Sequence, residues 1–216
     1  MGHERMVLDR LRERVDPLLT VIARRMLSLS PNLLTWLSLA FAVLAGLIFY
    51  LSTPANERRY CFLCIASLLV FMNGFTDAID GKIAKMKKID SAKGDFLDHA
   101  IDRFSDVSMI LGISLSEWCD ARIGLFSIAG VLLTSYMGTQ AQAVGYGRIY
   151  RGLLGRADRL FLLMVIPILQ HIFLDFEILD LNMMEIMMLY FAIVGFLTAV
   201  ERFLITLRWF REGDGN

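Results

Sequence analysis

Five carboxylates stand where carboxylates are costly. Asp77, Asp80, Asp98, Asp102 and Asp106 lie within or at the ends of two long apolar runs, where an ionised acid at mid-membrane costs roughly 2.5–3.5 kcal/mol. Acids in such places are functional by default, and something must compensate them. Asp77 and Asp80 are i, i+3 neighbours, and Asp98, Asp102 and Asp106 follow one another at i, i+4, so each set shares one helix face. Residues 82–94 form a short connection that makes the two helices antiparallel and brings both sets to the same depth. Oxygen ligands at this density, with almost no His or Cys beside them, suit Mg²⁺, Mn²⁺ or Ca²⁺ and not zinc. One divalent ion, and more readily two, would supply the missing charge.

The residues between the acids extend the chemistry. Gly81 directly follows Asp80, Ala84 keeps the next turn small, and Gly94 precedes the second acidic set. Small residues let a ligand approach the backbone closely. Lys82, Lys85, Lys87, Lys88 and Lys93 surround them. Acids that hold metal, then small residues, then cations make a pocket for a phosphate-bearing ligand, the ions bridging carboxylate and phosphate oxygens. For most of these lysines, membrane topology and attraction to anionic headgroups are sufficient explanation.

The elements that must position these groups are transmembrane helices. The 216 residues are 56% hydrophobic and only 20% charged, against roughly 45–50% apolar in soluble domains. Lys+Arg (22) balances Asp+Glu (22), which excludes a basic nucleic-acid binder and an acidic disordered chain. Three cysteines make no disulfide framework. Spans of about twenty residues are offered near 33–52, 60–81, 95–116, 122–145, 159–175 and 184–209. The expectation is an all-α integral membrane protein with six transmembrane helices: an arm over residues 1–30 and a six-helix domain over 31–216. Gly124, Gly130 and Gly138 mark points of close helix contact, within the subunit or across a dimer.

Cationic loops stay cytoplasmic. Arginines of the arm, the lysines of 82–94, then Arg148, Arg151, Arg156, Arg159, Arg202, Arg208 and Arg211 all fall on one side, against Arg58, Arg59 and Arg122 on the other. Both termini and the acidic site are therefore expected to face the cytoplasm. In the arm, Leu8, Leu11, Val15, Leu18, Leu19, Ile22 and Met26 recur at three- and four-residue spacing, which predicts an amphipathic helix in the interface. Asp16-Pro17 has the form of an N-cap followed by a first-turn proline and predicts a division into two short helices.

The stretch Asp77-x2-Asp80-Gly81-x2-Ala84-Lys85-x8-Gly94-x3-Asp98-x3-Asp102 resembles the signature of the CDP-alcohol phosphotransferase family, with Lys85 where the family carries arginine. The six-span pattern extends the resemblance over nearly the whole chain. The resemblance implies a membrane enzyme, commonly a homodimer, that moves a phosphate-linked group from a CDP-linked donor onto an alcohol and releases CMP. Position by position it implies Asp77, Asp80 and Asp98 as ligands of Mg²⁺ or Mn²⁺, with Asp102 as general base and second-metal contact. It implies Gly81, Ala84 and Gly94 as the surface for cytidine and diphosphate. Lys85 would hold the donor diphosphate as a point charge and not as a planar fork. Asp106, beside Ser105, would orient this shell or pair with Arg103.

A compact six-span chain resembles the branch that uses a CDP-lipid and a small polar acceptor. Arg148, Arg151, Arg156 and Arg159 are candidates for an acceptor phosphate, since arginine forks suit a phosphomonoester. Gly155-Arg156-Ala157-Asp158-Arg159 resembles the family segment with that task. Inositol-phosphate enzymes often carry Lys and Arg just after a Ser-Tyr, whereas Ser135-Tyr136 here precedes Met137-Gly138-Thr139-Gln140-Ala141-Gln142. The reading therefore leans to glycerol phosphate, with inositol phosphate, serine and a CDP-choline or CDP-ethanolamine donor as alternatives. The overall look resembles archaeal members, whose donor would be CDP-archaeol. A cation channel or transporter would explain the acids but not the glycines, alanine and lysines around them.

Overall fold

The structure, a computed structural model, describes residues 7–55, 57–88, 91–147, 149 and 152–213, without the side chains of 7–15, 57–60 and 213. Seven helices follow in order: α1 (Val7–Arg25), α2 (Pro31–Leu51), α3 (Glu57–Lys87), α4 (Ala92–Ser114), α5 (Ala121–Ala143), α6 (Arg156–Ile172) and α7 (Met183–Gly213). Between α6 and α7, β1 (Glu177–Ile178) and β2 (Leu181–Asn182) pair antiparallel, with Leu179 and Asp180 at positive φ in the turn. This small hairpin is the departure from the all-α expectation.

Each of the six apolar runs is a helix. Four of them, Pro31–Leu51, Cys61–Lys87, Ala121–Ala143 and Met183–Glu212, are long and apolar enough to cross a membrane. The other two differ for reasons visible in their composition. The first two-thirds of α4 carries Asp95, Asp98, Asp102, Arg103 and Asp106, and α6 has 17 residues beginning Arg-Ala-Asp-Arg.

The helices start where local hydrogen bonding lets them. Ser30 Oγ accepts from Leu33 N (3.3 Å) ahead of Pro31, Ser91 Oγ from Gly94 N (3.1 Å), and Asp120 Oδ1 from Arg122 N (2.8 Å). These caps satisfy amides that the first turn leaves without partners. For α6 the cap is Gly155, and Asp158 Oδ2 accepts from Gly155 N at 2.8 Å.

Packing places α4 at the centre of the site. A Cβ built on Gly112 would lie 2.0 Å from the Gly46 carbonyl oxygen, and one on Gly46 would lie 2.2 Å from that of Ser108. The backbones of α2 and α4 therefore touch, as small residues allow between membrane helices. Gly124, Gly130 and Gly138 also serve contacts within the chain, against Ser114, the Ala192 carbonyl and the Arg202 guanidinium respectively. The main core, around Phe49, Leu63, Met109, Ile113, Leu163 and Phe191, draws on all six of these helices.

The arm corrects one expectation. Helix α1 runs through Pro17 without dividing; a proline forfeits one helical hydrogen bond, and Pro17 is exposed, where water can replace it. Of the expected stripe, the side chains of Leu8, Leu11 and Val15 lie outside the described residues. Leu19, Ile22 and Met26 pack with Ala23 onto Leu34, Ile79 and Ile83, while Leu18 faces outward. Lys82 ties α3 to α1, its Nζ 2.7 Å from Asp16 Oδ2 and donating to Thr20 Oγ1 at 3.0 Å.

Candidate active site

The C-terminal half of α3 and the N-terminal half of α4 run antiparallel, so residues near one end of each meet. Carboxylate oxygens of Asp77, Asp80 and Asp98 lie within 4.8 Å of one another. Ligating atoms of Asp98, His99 and Asp102 form a second group with the same limit. Two overlapping clusters that share Asp98 can hold up to two cations. The Asp77 Oδ1 atom is buried and makes no hydrogen bond, which a buried carboxylate oxygen rarely tolerates unless a cation faces it. On donor chemistry and on this orphaned oxygen, the residues fit a hard divalent ion.

A polar group from another helix holds one of the acids from behind. Asp80 and Asp102 are buried, and Thr35 of α2 donates its hydroxyl to Asp80 Oδ2 at 2.8 Å. One turn before Asp77, Asn73 is buried and donates from Nδ2 to the Ser38 carbonyl at 2.9 Å. An outer partner such as Thr35 fixes the rotamer of a ligating carboxylate and commonly tunes metal affinity. His99 joins the acids: Nε2 lies 3.2 Å from Asp95 Oδ1 and Nδ1 3.7 Å from Asp98 Oδ2.

The cations separate into distinct tasks. Arg156, the first residue of α6, places Nη1 2.6 Å from Asp77 Oδ2 and 2.8 Å from Asp102 Oδ1. A positive charge at a helix N-terminus opposes the helix dipole, so this placement serves the acids and not α6. Arg159, one turn further on, is 2% exposed and places Nη2 2.6 Å from Asp106 Oδ2. Arg103, beside Asp102 in sequence, approaches it only to 3.5 Å. Asp106 thus pairs with Arg159, and the expected partner Arg103 leans towards Asp102. Arg148 and Arg151 lie outside the described residues. Among the lysines, Lys87 Nζ donates to the Leu29 carbonyl at 2.8 Å. Lys85 is exposed on the last turn of α3, one position after Ala84.

Around the acids there is room. A Cβ added at Gly81 would meet no atom within 4 Å, and one at Gly94 would meet only the Ser91 hydroxyl, at 3.2 Å. A cleft of about 310 Å³ between α4 and α5 is lined by His99, Arg103, Leu132, Ser135, Tyr136 and Thr139. Thr35, Asn73 and the partner of Arg159 are not signalled by the motif. Their contacts span 45, 35 and 53 residues, beyond the reach of any local pattern. Buried polar residues at helical spacing in otherwise apolar runs are the only hint that the sequence carries.

Residues 28–206 match the family model described as CDP-alcohol phosphatidyltransferase. The archaetidylinositol phosphate synthase of Pyrococcus horikoshii is 29% identical over 161 residues, 74% of this chain and 81% of the relative. That of Methanothermobacter thermautotrophicus is 26% identical over 168 residues, 76% and 80% of the two chains. Among solved structures, the phosphatidylinositol phosphate synthase PgsA1 of Mycobacterium tuberculosis with CDP-DAG bound superposes with a TM-score of 0.69 at 23% identity, over 87% of this chain and 92% of that one. Its complex with manganese and citrate gives 0.70 at 21% identity, over 88% of each chain. The likeness extends over most of the helical fold. With that fold, four apolar helices and a family match over most of its length, the chain is a multi-pass membrane enzyme and belongs to the CDP-alcohol phosphatidyltransferase family.

Proposed function

We propose that this enzyme transfers a phosphatidyl-type group, diacylglycerol or archaeol phosphate, from a CDP-lipid to a phosphorylated polyol and releases CMP. The observation that carries the reading is Arg156, whose Nη1 lies between Asp77 and Asp102 while its Nε and Nη2 are buried without a hydrogen-bond partner. It offers a planar fork for an acceptor phosphate next to the residue read as the base. Arg159 is sealed from solvent on Asp106, so the phosphate-binding part falls to Arg156. The names of the two archaeal relatives favour inositol phosphate as acceptor. Glycerol phosphate is the second reading, because the run after Ser135-Tyr136 lacks the Lys and Arg described above.

Asp77, Asp80 and Asp98, with Asp102 at the second cluster, would hold the ions. When bound, Mg²⁺ or Mn²⁺ supplies charge neutralisation for the diphosphate and for the leaving CMP; the manganese complex of the fold neighbour supports that metal type. Asp102 takes the proton from the acceptor hydroxyl as its oxygen forms the bond to the β-phosphorus. The bond from that phosphorus to the bridging oxygen breaks, and CMP carries the electron pair away. Thr35 keeps one Asp80 oxygen turned to itself and leaves the other for the ion. Lys85 reaches the donor diphosphate from the last turn of α3. All six helices α2 to α7 cross the membrane in this reading. Both termini and the site face the cytoplasm, α1 lies in the interface on its outward side chains, and the enzyme works as a homodimer.

The test is CMP release by the purified enzyme in detergent with a CDP-lipid and Mn²⁺ or Mg²⁺, across inositol phosphate, glycerol 1-phosphate, glycerol 3-phosphate, serine and glycerol. Dependence on inositol phosphate supports the first reading, and dependence on a glycerol phosphate the second. Turnover with an unphosphorylated alcohol alone removes the role of Arg156.

Gly81 gives an independent check on the donor surface. Because a Cβ there meets no protein atom, Gly81→Ala within α3 should stabilise the protein by up to about 1 kcal/mol through helix propensity. It should at the same time raise the CDP-lipid KM, since the methyl occupies ligand space. Higher Tm with unchanged donor KM would place the cytidine diphosphate elsewhere.

A further inference from the structure

We propose that the buried Asp106–Arg159 pair is a positioning device for acceptor recognition. It ties α6, which packs on α3 and α7, to α4 and thereby holds Arg156 at Asp102, an inference that rests on the reading of Arg156 as the acceptor-phosphate ligand. Arg156 and Arg159 are i, i+3 on α6, and Asp102 and Asp106 are i, i+4 on α4, so each pair of residues lies on one helix face. Both helices begin on the same side, and the contacts match in order: Arg156 to Asp102 at 2.8 Å, then Arg159 to Asp106 at 2.6 Å. A shift of α6 along its axis breaks both rungs together.

The two rungs are not equivalent. Arg156 is 18% exposed at the open end, whereas the Arg159 and Asp106 side chains are 2% and 1% exposed. No substrate reaches the inner rung. The inner pair is also a single-contact pair: Arg159 Nε and Asp106 Oδ1 are buried without hydrogen-bond partners. A buried ion pair left partly unsatisfied contributes little or nothing to stability compared with apolar side chains of similar size. What it does supply is a unique alignment, because an arginine displaced by one turn would leave two charges buried and unpaired. A helix whose first residue must carry an acceptor phosphate to within reach of the base needs that alignment.

Single substitutions such as Arg159→Met leave Asp106 buried and bare, and the protein can fail to fold for that reason alone. The decisive variant is therefore the double Asp106→Leu, Arg159→Met, compared with Arg156→Ala and Arg159→Lys. Each is assayed in the full-length enzyme with inositol phosphate or glycerol phosphate, whichever drives CMP release. The expected result for the double variant is a Tm near that of the wild type, a donor KM unchanged, and an acceptor kcat/KM lowered between about tenfold and a hundredfold through KM. Arg159→Lys, which retains the charge, should recover part of the loss. A merely structural pair would move Tm, donor KM and acceptor KM together. If Arg156→Ala raises the acceptor KM but the folded double variant does not, the positioning role is overturned and the reading of Arg156 stands. If Arg156→Ala leaves the acceptor KM unchanged, both are overturned.

Discussion

Asp102→Asn is expected to lower kcat by about 10²- to 10⁴-fold, the usual worth of a positioned general base, or roughly 2.7–5.4 kcal/mol of barrier. CDP-lipid affinity should not change. The amide is nearly isosteric with the carboxylate, its oxygen can still face a cation, and it leaves a polar atom beside Arg156, whose Nη1 lies 2.8 Å from Asp102 Oδ1. What it loses is the ability to take a proton. Arg156 also keeps its second anchor, Asp77, at 2.6 Å, so its guanidinium stays in place. Neither of the two flanking acids of α4 can substitute: Asp106 is fully buried on Arg159, and Asp95 is turned to His99 at the surface of α4. Single-turnover CMP release together with equilibrium binding of the CDP-lipid separates the two effects. An Asn variant that turns over at near wild-type rate removes the general-base role from Asp102, and a variant that loses donor binding as well makes it chiefly a metal ligand.

The acidic centre was legible in the sequence because everything that defines it is local. Asp77 to Asp102 lie on two consecutive helices joined by a short connection, so helical periodicity and chain connectivity alone bring Asp77, Asp80 and Asp98 within 4.8 Å. The helix positions were legible for the same reason, each apolar run becoming one helix. The arginines show where local information ends. Arg156 and Arg159 stand three residues apart in one motif and carry the same sequence signal, yet one opens on Asp77 and Asp102 while the other is closed on Asp106. Their partners lie on helices fixed by packing, by the Gly46–Gly112 contact of α2 with α4 and the seat of α6 against α3. Thr35 is the same case on the acidic side, a threonine in an apolar helix whose purpose appears only when Asp80 is beside it. Pro17 failed as a breaker because propensity at an exposed turn costs less than the packing of Ala23 and Ile22 on α3 returns.

Asp77→Ala is the second large expected effect: loss of Mn²⁺ affinity by about a hundredfold or more. Outer-shell partners alone commonly account for 10- to 100-fold, and this substitution removes one of the three carboxylates of the main cluster. Donor binding should fall with it wherever it depends on metal. Two explanations compete, because Asp77 also holds Arg156 at 2.6 Å. If the acid existed to anchor the arginine, Arg156→Ala would make Asp77 dispensable and would leave Mn²⁺ affinity untouched or reduced by local disorder. If Asp77 is a ligand, Arg156→Ala removes a cation from beside the metal site, and Mn²⁺ affinity should rise, while Asp77→Ala lowers it in either background. The opposite signs make the pair of variants decisive. Manganese titration followed by electron paramagnetic resonance reads both without turnover. Asp95→Ala is the control, since that carboxylate is two-thirds exposed and outside both clusters; equal losses at Asp95 and Asp77 would reduce the effect to general surface charge and withdraw the ligand role.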